Sequence, residues 1–280
     1  FSKCVIISKK RTNYREAPVD ILTTRQQEIV SILNEKEQLS VNDLAEHFSV
    51  TPATIRRELT LLAAKGIVIR KHGYTCLNNQ AKKDRSSFNI RLALNWEEKK
   101  LIAQRALEYL SPEDSSIILD SGTSTCALAE LLARSKDERH ISVISNCIPV
   151  ASFCPGTYNI ICGGSIDEDS LSMIGHEAES YFDSIIADKA FMGANGVFGN
   201  EGPSVSSFFQ MAIKRKMMSR ASQSIFLIDS NKFKVRGLSK LCSFQDVYAL
   251  ITVRTEANSR QIDELRAAGV RVDCANEPML

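Results

Sequence analysis

The 280-residue sequence predicts an α/β protein of two parts, a small N-terminal helical module with one hairpin and a larger domain built on a parallel sheet. Two patterns predict this division. Short amphipathic segments and a glycine-bounded hairpin occupy residues 21–77, whereas short apolar strands alternate with helices over residues 91–280. The stretch between them, residues 78–90, is polar at its start and is expected to be a linker.

The remaining N-terminal residues, 1–20, show no helical period and no long apolar region with a cleavage site. We expect a poorly ordered basic tail rather than a signal peptide. No run of 18 uncharged apolar residues is present, so no membrane span is expected. The eight cysteines form no C-x-x-C pair and have no histidine at metal-ligand spacing. These observations favour a cytoplasmic protein with reduced thiols, no metal and no cofactor.

The net charge of +2 is unevenly distributed along the chain. Residues 1–83 hold 14 Lys and Arg against 8 Asp and Glu, a net +6, and residues 84–280 hold 21 against 25, a net −4. A charge excess of this size also arises from composition alone. Nevertheless, a basic module joined to an acidic one is typical of a protein whose first part attracts phosphates.

The N-terminal module is predicted to contain three helices, at residues 24–34, 41–48 and 51–65, with a tight turn at residues 49–51. A short helix, a turn and a helix with small exposed residues at its start form a helix-turn-helix, whose second helix docks in the major groove.

The third helix has a strong start signal and one apolar stripe. Thr51 is a plausible N-cap, and Pro52 stands at the first helical position, where its missing N–H costs nothing. Ile55, Leu59 and Leu62 fall within about 60° of one another around a helix, so they are expected to be buried.

The opposite face of this helix is small and basic, which suits close approach to a DNA groove and bidentate pairing of arginine with guanine. The alternative to DNA contact is that this helix face is simply exposed to solvent. After the helix, Gly66 and Gly73 bound a predicted hairpin, a wing that would bring basic side chains to a phosphate or minor groove. The residues predicted to contact DNA are Thr51, Ala53, Thr54, Arg56, Arg57, Thr60, Arg70, Lys71 and His72.

The larger domain shows continuous apolar strands separated by helices, the pattern of a parallel sheet covered on both faces. Strands are predicted at residues 117–120, 141–145, 158–162, 189–192, 224–229, 249–253 and 270–273, and helices at residues 97–110, 126–134, 208–220 and 259–268.

Polar and glycine-rich sequences follow five of these strands, at the sheet edge where α/β proteins bind ligands. The segment DSGTST, residues 120–125, combines a tight turn, hydroxyl groups and successive N–H groups that open a helix, which suits an anion such as phosphate. Each such turn alone is commonly structural, but five converge here. The residues predicted on this basis to bind a small molecule are Asp120, Ser121, Gly122, Thr123, Ser124, Thr125, Ser145, Asn146, Gly163, Gly164, Asn195 and Lys232.

The run VTPATIRREL followed by RKHG resembles the N-terminal signature of the DeoR family of bacterial transcription regulators, roughly VS-x-x-TIRRDL and then R-x-HGG. Two departures are visible. Glu58 stands where the family usually has Asp, and Tyr74 stands where it usually has a second glycine, at a position where a positive φ would strain tyrosine.

The larger domain resembles the sensor domain of the same family in the segments EKKLIA, D-x-GTST, Ser-Asn, GGS, DKAFMGANG, Lys214-Arg215 and DSNKF. The resemblance covers residues 23–255; Val253 departs from a frequent Asp. It implies a fold similar to ribose-5-phosphate isomerase and coenzyme A transferases. It also implies a phosphorylated sugar held by the D-x-GTST loop and Lys232, and it adds Lys214 to the effector-binding residues.

The alternative interpretation is a sugar-phosphate isomerase with an appended DNA-binding module. Isomerisation needs a carboxylate base. The related isomerase carries acidic residues in a G-A-D-E loop, where this sequence has Asn195 and Gly196, although Asp120, Asp188 and Asp229 lie near other strand ends. We expect no catalytic residue and no enzymatic activity.

The sequence thus predicts a sequence-specific DNA-binding regulator, a repressor of a carbohydrate-utilisation operon controlled by a phosphorylated sugar. Its expected partners are double-stranded operator DNA, the sugar phosphate and further copies of itself, as dimer or tetramer, because one helix reads only a few base pairs. The identity of the sugar, the operator and the direction of the response stay open.

Overall fold

A computed structural model describes residues 22–71, 73–78, 88–134, 141–153 and 159–279. The described chain forms two compact units, one ending at Trp96 and one beginning at Glu97. The predicted tail, residues 1–20, and His72 lie outside the described residues. None of the helices within these ranges is both long and apolar enough to cross a bilayer.

In its described residues, the N-terminal unit has four helices and a three-stranded antiparallel sheet in the order β1-β3-β2. Its elements are α1 (Thr24–Lys36), β1 (Gln38–Leu39), α2 (Val41–His47), α3 (Pro52–Ala64), β2 (Val68–Lys71), β3 (Tyr74–Leu77) and α4 (Phe88–Ala93). The turn from α2 to α3 places Ser49 at φ 51°, which closes the helix-turn-helix tightly. The fold class predicted for this part is confirmed.

The sequence placed residues 78–90 in a linker, of which the structure describes residue 78 and residues 88–90. The last three belong to α4, which packs against α1, and Ile90 and Ala93 are buried in the core of the N-terminal unit. A six-residue helix is too short to give a clear period in the sequence, so only its packing reveals it.

The C-terminal unit is organised around a seven-stranded parallel sheet in the order β15-β14-β12-β9-β4-β5-β6. Its strands are β4 (Ser116–Leu119), β5 (Ser142–Ser145), β6 (Asn159–Ile161), β9 (Ala187–Met192), β12 (Ala221–Leu227), β14 (Ala249–Thr252) and β15 (Val272–Cys274). Its helices are α5 (Trp96–Leu107, whose first residue closes the N-terminal unit), α6 (Thr123–Arg134), α7 (Ile148–Phe153), α8 (His176–Tyr181), α9 (Phe208–Met218) and α10 (Ser259–Ala267).

Two small antiparallel elements accompany this sheet. They are the hairpin of β7 (Ser165–Asp167) and β8 (Ser172–Ile174), and the three-stranded sheet of β10 (Gly196–Phe198), β11 (Gly202–Val205) and β13 (Ser239–Lys240). A Cβ on Gly202 would lie 1.9 Å from the carbonyl oxygen of Cys242, so this small sheet requires glycine there. The core of the unit is apolar on the central strands, with Phe191 and Phe226 fully buried.

Candidate functional site

The third helix, α3, begins and packs as its sequence predicts. The Thr51 hydroxyl accepts a hydrogen bond of 3.3 Å from the backbone N–H of Thr54 and so caps the helix. Ile55, Leu59 and Leu62 are fully buried in the core of the N-terminal unit. Because this stripe fixes which face turns inward, the opposite face is presented to solvent.

The exposed face of α3 carries most of the residues predicted to contact DNA. Thr51, Ala53, Arg56, Arg57 and Thr60 are exposed, and only Thr54 is half-buried. Arg56 and Arg57 are adjacent, so they point about 100° apart around the helix axis. A face with two arginines, an alanine and threonines is narrow enough to enter a major groove.

The wing is tied to this helix by one hydrogen bond, whose acceptor is itself bonded within the helix. Arg70 Nη1 donates to Thr60 Oγ1 over 2.9 Å, and Thr60 Oγ1 donates to the carbonyl oxygen of Arg56 over 2.7 Å. Arg70 and Lys71 are both exposed. Gly73 takes a positive φ of 85°, and Tyr74 is extended in β3, so the departure from a second glycine causes no strain at the wing tip.

A second set of predicted residues lies on the loops that follow β4, β5, β6, β9 and β12. We call these five loops the carboxyl rim. Residues Leu119, Ser145 and Phe191 are neighbours across β4, β5 and β9, so the rim loops after these three strands start side by side. The predicted convergence of polar strand ends is therefore present in the fold.

Asp120, the first residue of the rim after β4, is fully buried and forms an ion pair with Lys214 of α9. Its Oδ2 also accepts a 2.9 Å hydrogen bond from the backbone N–H of Gly193. Lys214 donates to the carbonyl oxygens of Gly193 at 3.1 Å and of Ser121 at 3.5 Å. This pair links α9 to the loops after β4 and β9, and it leaves both charges engaged with each other.

The DSGTST loop is shorter than predicted because α6 begins at Thr123 rather than at Cys126. Thr125 Oγ1 donates within the loop, with oxygen distances of 2.7 Å to Asp120 O and 2.8 Å to Gly122 O, and Thr125 is fully buried. Ser124 is also buried, whereas Gly122 and Thr123 are half-buried. The start of α6 presents backbone N–H groups of the kind that suit an anion.

The ends of β5 and β6 provide further rim residues. Ser145 Oγ donates to Leu119 O over 2.6 Å, and Asn146 Nδ2 donates to Met173 O over 3.0 Å, both with buried side chains. Gly163 and Gly164 are exposed, and Gly164 has a φ of 135°. The two buried side chains hold the loops together, while the glycines leave backbone accessible.

The rim loop after β12 is held by α5. Glu98 accepts two hydrogen bonds from Ser230, from its backbone N–H over 2.8 Å and from its hydroxyl over 2.7 Å. Lys232 follows in the same 3₁₀ turn and is half-buried, as is Asn195 after β9. Asn195 Oδ1 accepts a 3.1 Å hydrogen bond from the backbone N–H of Ser206.

Gln210 of α9 contacts the rim and was not predicted from the sequence. Its Oε1 accepts from Ser121 Oγ at 3.1 Å, and its Nε2 lies 2.9 Å from Asp167 Oδ2 and 2.8 Å from Ser170 Oγ. Burial raises the pKa of Asp167, but hydrogen bonds from Ser170 and Gln210 outweigh it and leave that pKa below its usual value. Nothing in the local sequence of α9 indicates these contacts, since they join segments about 40 and 90 residues away.

The three carboxylates that the enzyme alternative would need are already engaged. Asp120 is paired with Lys214. Asp188 lies near the amino end of β9, away from the rim, and accepts the backbone N–H groups of Ser115 and Ser116. Asp229 accepts the backbone N–H of Asn231 over 3.2 Å and caps its own turn. The buried ion pair of Asp120 and the position of Asp188 away from the rim do not favour proton abstraction at the rim.

The cysteines and acidic residues give no indication of a metal site. Within the described ranges no group of three or more His, Cys, Asp or Glu side chains is placed to hold a metal ion. Cys76, Cys126, Cys147, Cys162, Cys242 and Cys274 are free thiols, and burial raises the pKa of Cys162 to about 12. Cys4 and Cys154 lie outside the described residues.

The DeoR-like helix-turn-helix domain matches residues 25–81, and the DeoR C-terminal sensor domain matches residues 94–254. The chain is 34% identical over 235 residues to the uncharacterized HTH-type transcriptional regulator YulB of Bacillus subtilis, covering 83% of this chain and 89% of that protein. It is 32% identical over 234 residues to the lactose phosphotransferase system repressor of Streptococcus mutans, with 81% and 90% covered. The glycerol-3-phosphate regulon repressor of Escherichia coli K12 is 25% identical over 233 residues, with 82% and 90% covered.

Among solved structures, a D-ribose-5-phosphate isomerase in complex with phospho-erythronic acid is similar to the chain with 20% identity and a TM-score of 0.35, covering 49% of this chain and 54% of that one. The two domain matches together span both units and more than half of the sequence. The protein belongs to the DeoR family of DNA-binding transcription regulators.

Proposed function

We propose that this protein represses a carbohydrate-utilisation operon and that a phosphorylated sugar bound at the carboxyl rim controls its affinity for DNA. The observation that carries the proposal is the rim itself. It joins the N-terminus of α6, two exposed glycines and the half-buried Asn195 and Lys232 at the edge of a parallel sheet. This combination suits a phosphate with hydroxyl groups attached.

The predicted effector residues divide into two roles in this proposal. The accessible ones would touch the ligand, and they are Gly122, Thr123, Gly163, Gly164, Asn195 and Lys232. The buried ones would hold the loops in place, and they are Asp120, Ser121, Ser124, Thr125, Ser145, Asn146 and Lys214. Because Asp120 and Lys214 neutralise each other, the positive potential for a phosphate would come from the start of α6 and from Lys232.

The names of two relatives support the ligand class. One is a repressor of a lactose phosphotransferase system and the other of a glycerol-3-phosphate regulon. We propose that the ligand binds the DNA-competent and DNA-incompetent arrangements with different affinities and shifts operator occupancy by that difference. An operator with two half-sites needs two helix-turn-helix modules, so we also propose self-association. We further propose that the protein acts in the cytoplasm.

The experiment is a thermal-shift screen of the full chain against a panel of phosphorylated sugars, with the unphosphorylated sugars as matched controls. A compound present at about 100 times its dissociation constant adds about 2.7 kcal/mol of stability. Hits are then tested for their effect on DNA binding. The variant Lys232→Ala is expected to lose the response to the hit compound while it binds DNA as the wild type does without effector. The proposal fails if unphosphorylated sugars stabilise the protein equally, or if Lys232→Ala loses DNA affinity and keeps the response.

The wing offers a separate test of DNA contact. Lys71 is exposed, and its ammonium lies 5.8 Å from the ring centre of Tyr74, so it is available to a phosphate. Replacing Lys71 with alanine is expected to weaken binding to all DNA sequences equally and to lower the slope of log K against log salt by about one unit. Fluorescence anisotropy at several salt concentrations measures this. A loss confined to one sequence would show instead that the wing reads bases.

A further inference from the structure

One buried amide connects the start of α1 to the middle of the recognition helix α3. Gln26 is only 4% exposed. Its Oε1 accepts a 3.1 Å hydrogen bond from the backbone N–H of Thr23, as part of the capping box of α1. Its Nε2 donates over 2.8 Å to Oε2 of Glu58. Both ends of this side chain are therefore used, one by its own helix and one by α3.

Glu58 stands in the TIRREL segment where the family pattern has Asp. Its side chain is longer than that of Asp by one methylene. Its side chain is 18% exposed, and besides Gln26 it lies 3.6 Å from the guanidinium of Arg25. It therefore points from α3 towards the first turn of α1. This direction differs by about 100° around the helix axis from that of the neighbouring Arg57, which is exposed.

The apolar stripe of α3 does not by itself define the position of Arg57. Burial of Ile55, Leu59 and Leu62 is favourable over a range of small rotations and shifts, because hydrophobic contact is not directional. A charge-assisted hydrogen bond of 2.8 Å has a narrow range of distance and angle. Bidentate recognition of a base by arginine also needs a narrow range of distance and angle. A small rotation of α3 therefore reduces discrimination between DNA sequences.

We propose that the Gln26–Glu58 hydrogen bond sets the orientation of α3 on α1 and so places Arg56 and Arg57 for reading DNA. Gln26 and Glu58 are positioning residues, and neither touches the DNA. Breaking the bond reduces discrimination between the operator and other DNA more than it reduces general affinity for DNA.

The test uses the full chain and two 30-base-pair duplexes, one selected by the wild-type protein from a random library and one scrambled. Gln26→Glu keeps the capping box, since glutamate serves at that position, but sets two carboxylates against each other. Gln38→Glu is the matched control, because it adds the same charge to an exposed residue of the same unit. We expect Gln26→Glu to lower the ratio of selected to scrambled affinity by about tenfold relative to Gln38→Glu.

The decisive variant reverses the pair. In Gln26→Glu combined with Glu58→Gln, the donor and the acceptor change places, and the affinity ratio is expected to return to within about threefold of the wild type. An affinity ratio for Gln26→Glu equal to that of Gln38→Glu overturns the proposal. So does a folded double variant whose ratio stays as low as that of Gln26→Glu alone.

A second variant covers the case in which Gln26→Glu does not fold. Glu58→Asp keeps the charge and withdraws the carboxylate by one methylene, which lengthens the contact to Gln26. It is expected to lower the affinity ratio by at least about threefold, with the salt slope on scrambled DNA unchanged. An unchanged ratio in folded Glu58→Asp, with thermal unfolding as the check, also overturns the proposal.

Discussion

Replacing Lys214 with alanine is expected to destabilise the C-terminal unit by about 3–5 kcal/mol, since it leaves the carboxylate of Asp120 buried without its cation. Lys214 is 3% exposed and Asp120 is fully buried, so water does not replace the lost partner. The same change removes the hydrogen bonds to the carbonyl oxygens of Gly193 and Ser121. Urea denaturation followed by circular dichroism measures the loss.

Two further variants separate the buried charge from other effects. Lys216→Ala removes a lysine of the same helix whose partner, Asp183, is largely exposed, so a much smaller loss is expected. Combining Lys214→Met with Asp120→Asn removes both charges and is expected to recover a large part of the stability. If Lys214→Ala unfolds at the same urea concentration as Lys216→Ala, the ion pair does not stabilise the rim.

Replacing Arg57 with alanine is expected to cost about 1–3 kcal/mol of binding to the operator and to relax the base preference at one position of each half-site. Arg57 is exposed on the outward face of α3, away from the buried stripe, so the fold is expected to stay intact. Selection of binding sites from a random library by the wild type and by the variant measures the change.

Comparing Arg57→Ala with Lys71→Ala distinguishes the loss of a base contact from the loss of a phosphate contact. Loss of a phosphate contact lowers affinity for every sequence, whereas loss of a base contact lowers affinity only for sequences with the preferred base. An Arg57→Ala protein whose selected sites match those of the wild type would place Arg57 outside the reading face.

The local signals of the N-terminal unit were sufficient to predict its first three helices and its wing, but not the short helix α4. The Thr51 cap, the proline after it and the 3–4 spacing of Ile55, Leu59 and Leu62 all depend on contacts within one helix or on one stripe. The wing turn followed from Gly73, whose positive φ favours glycine. The alternation of strands and helices likewise predicted the parallel sheet.

The contacts that define the rim were not predictable from local signals. Lys214 and Asp120 are 94 residues apart. Gln210 is 89 residues from Ser121 and 38 residues from Ser172 of the β7–β8 hairpin, and it joins the two. A lysine on a helix is usually solvated, and only the fold reveals that this one is buried. The early start of α6 was missed because serine, glycine and threonine favour turns as strongly as helix caps.

The hydrogen bond from Arg70 to Thr60 has a consequence for the affinity of the DNA contact that we propose for the wing. A free arginine side chain loses about 1.5–2 kcal/mol of rotational entropy when it becomes fixed. Because Arg70 is already held against α3, part of this entropy is lost when the protein folds and is not lost again on association. In Thr60→Ala, Arg70 would keep its charge but would no longer be held against α3. Its side-chain entropy would then be lost when the protein binds DNA, and the affinity would fall.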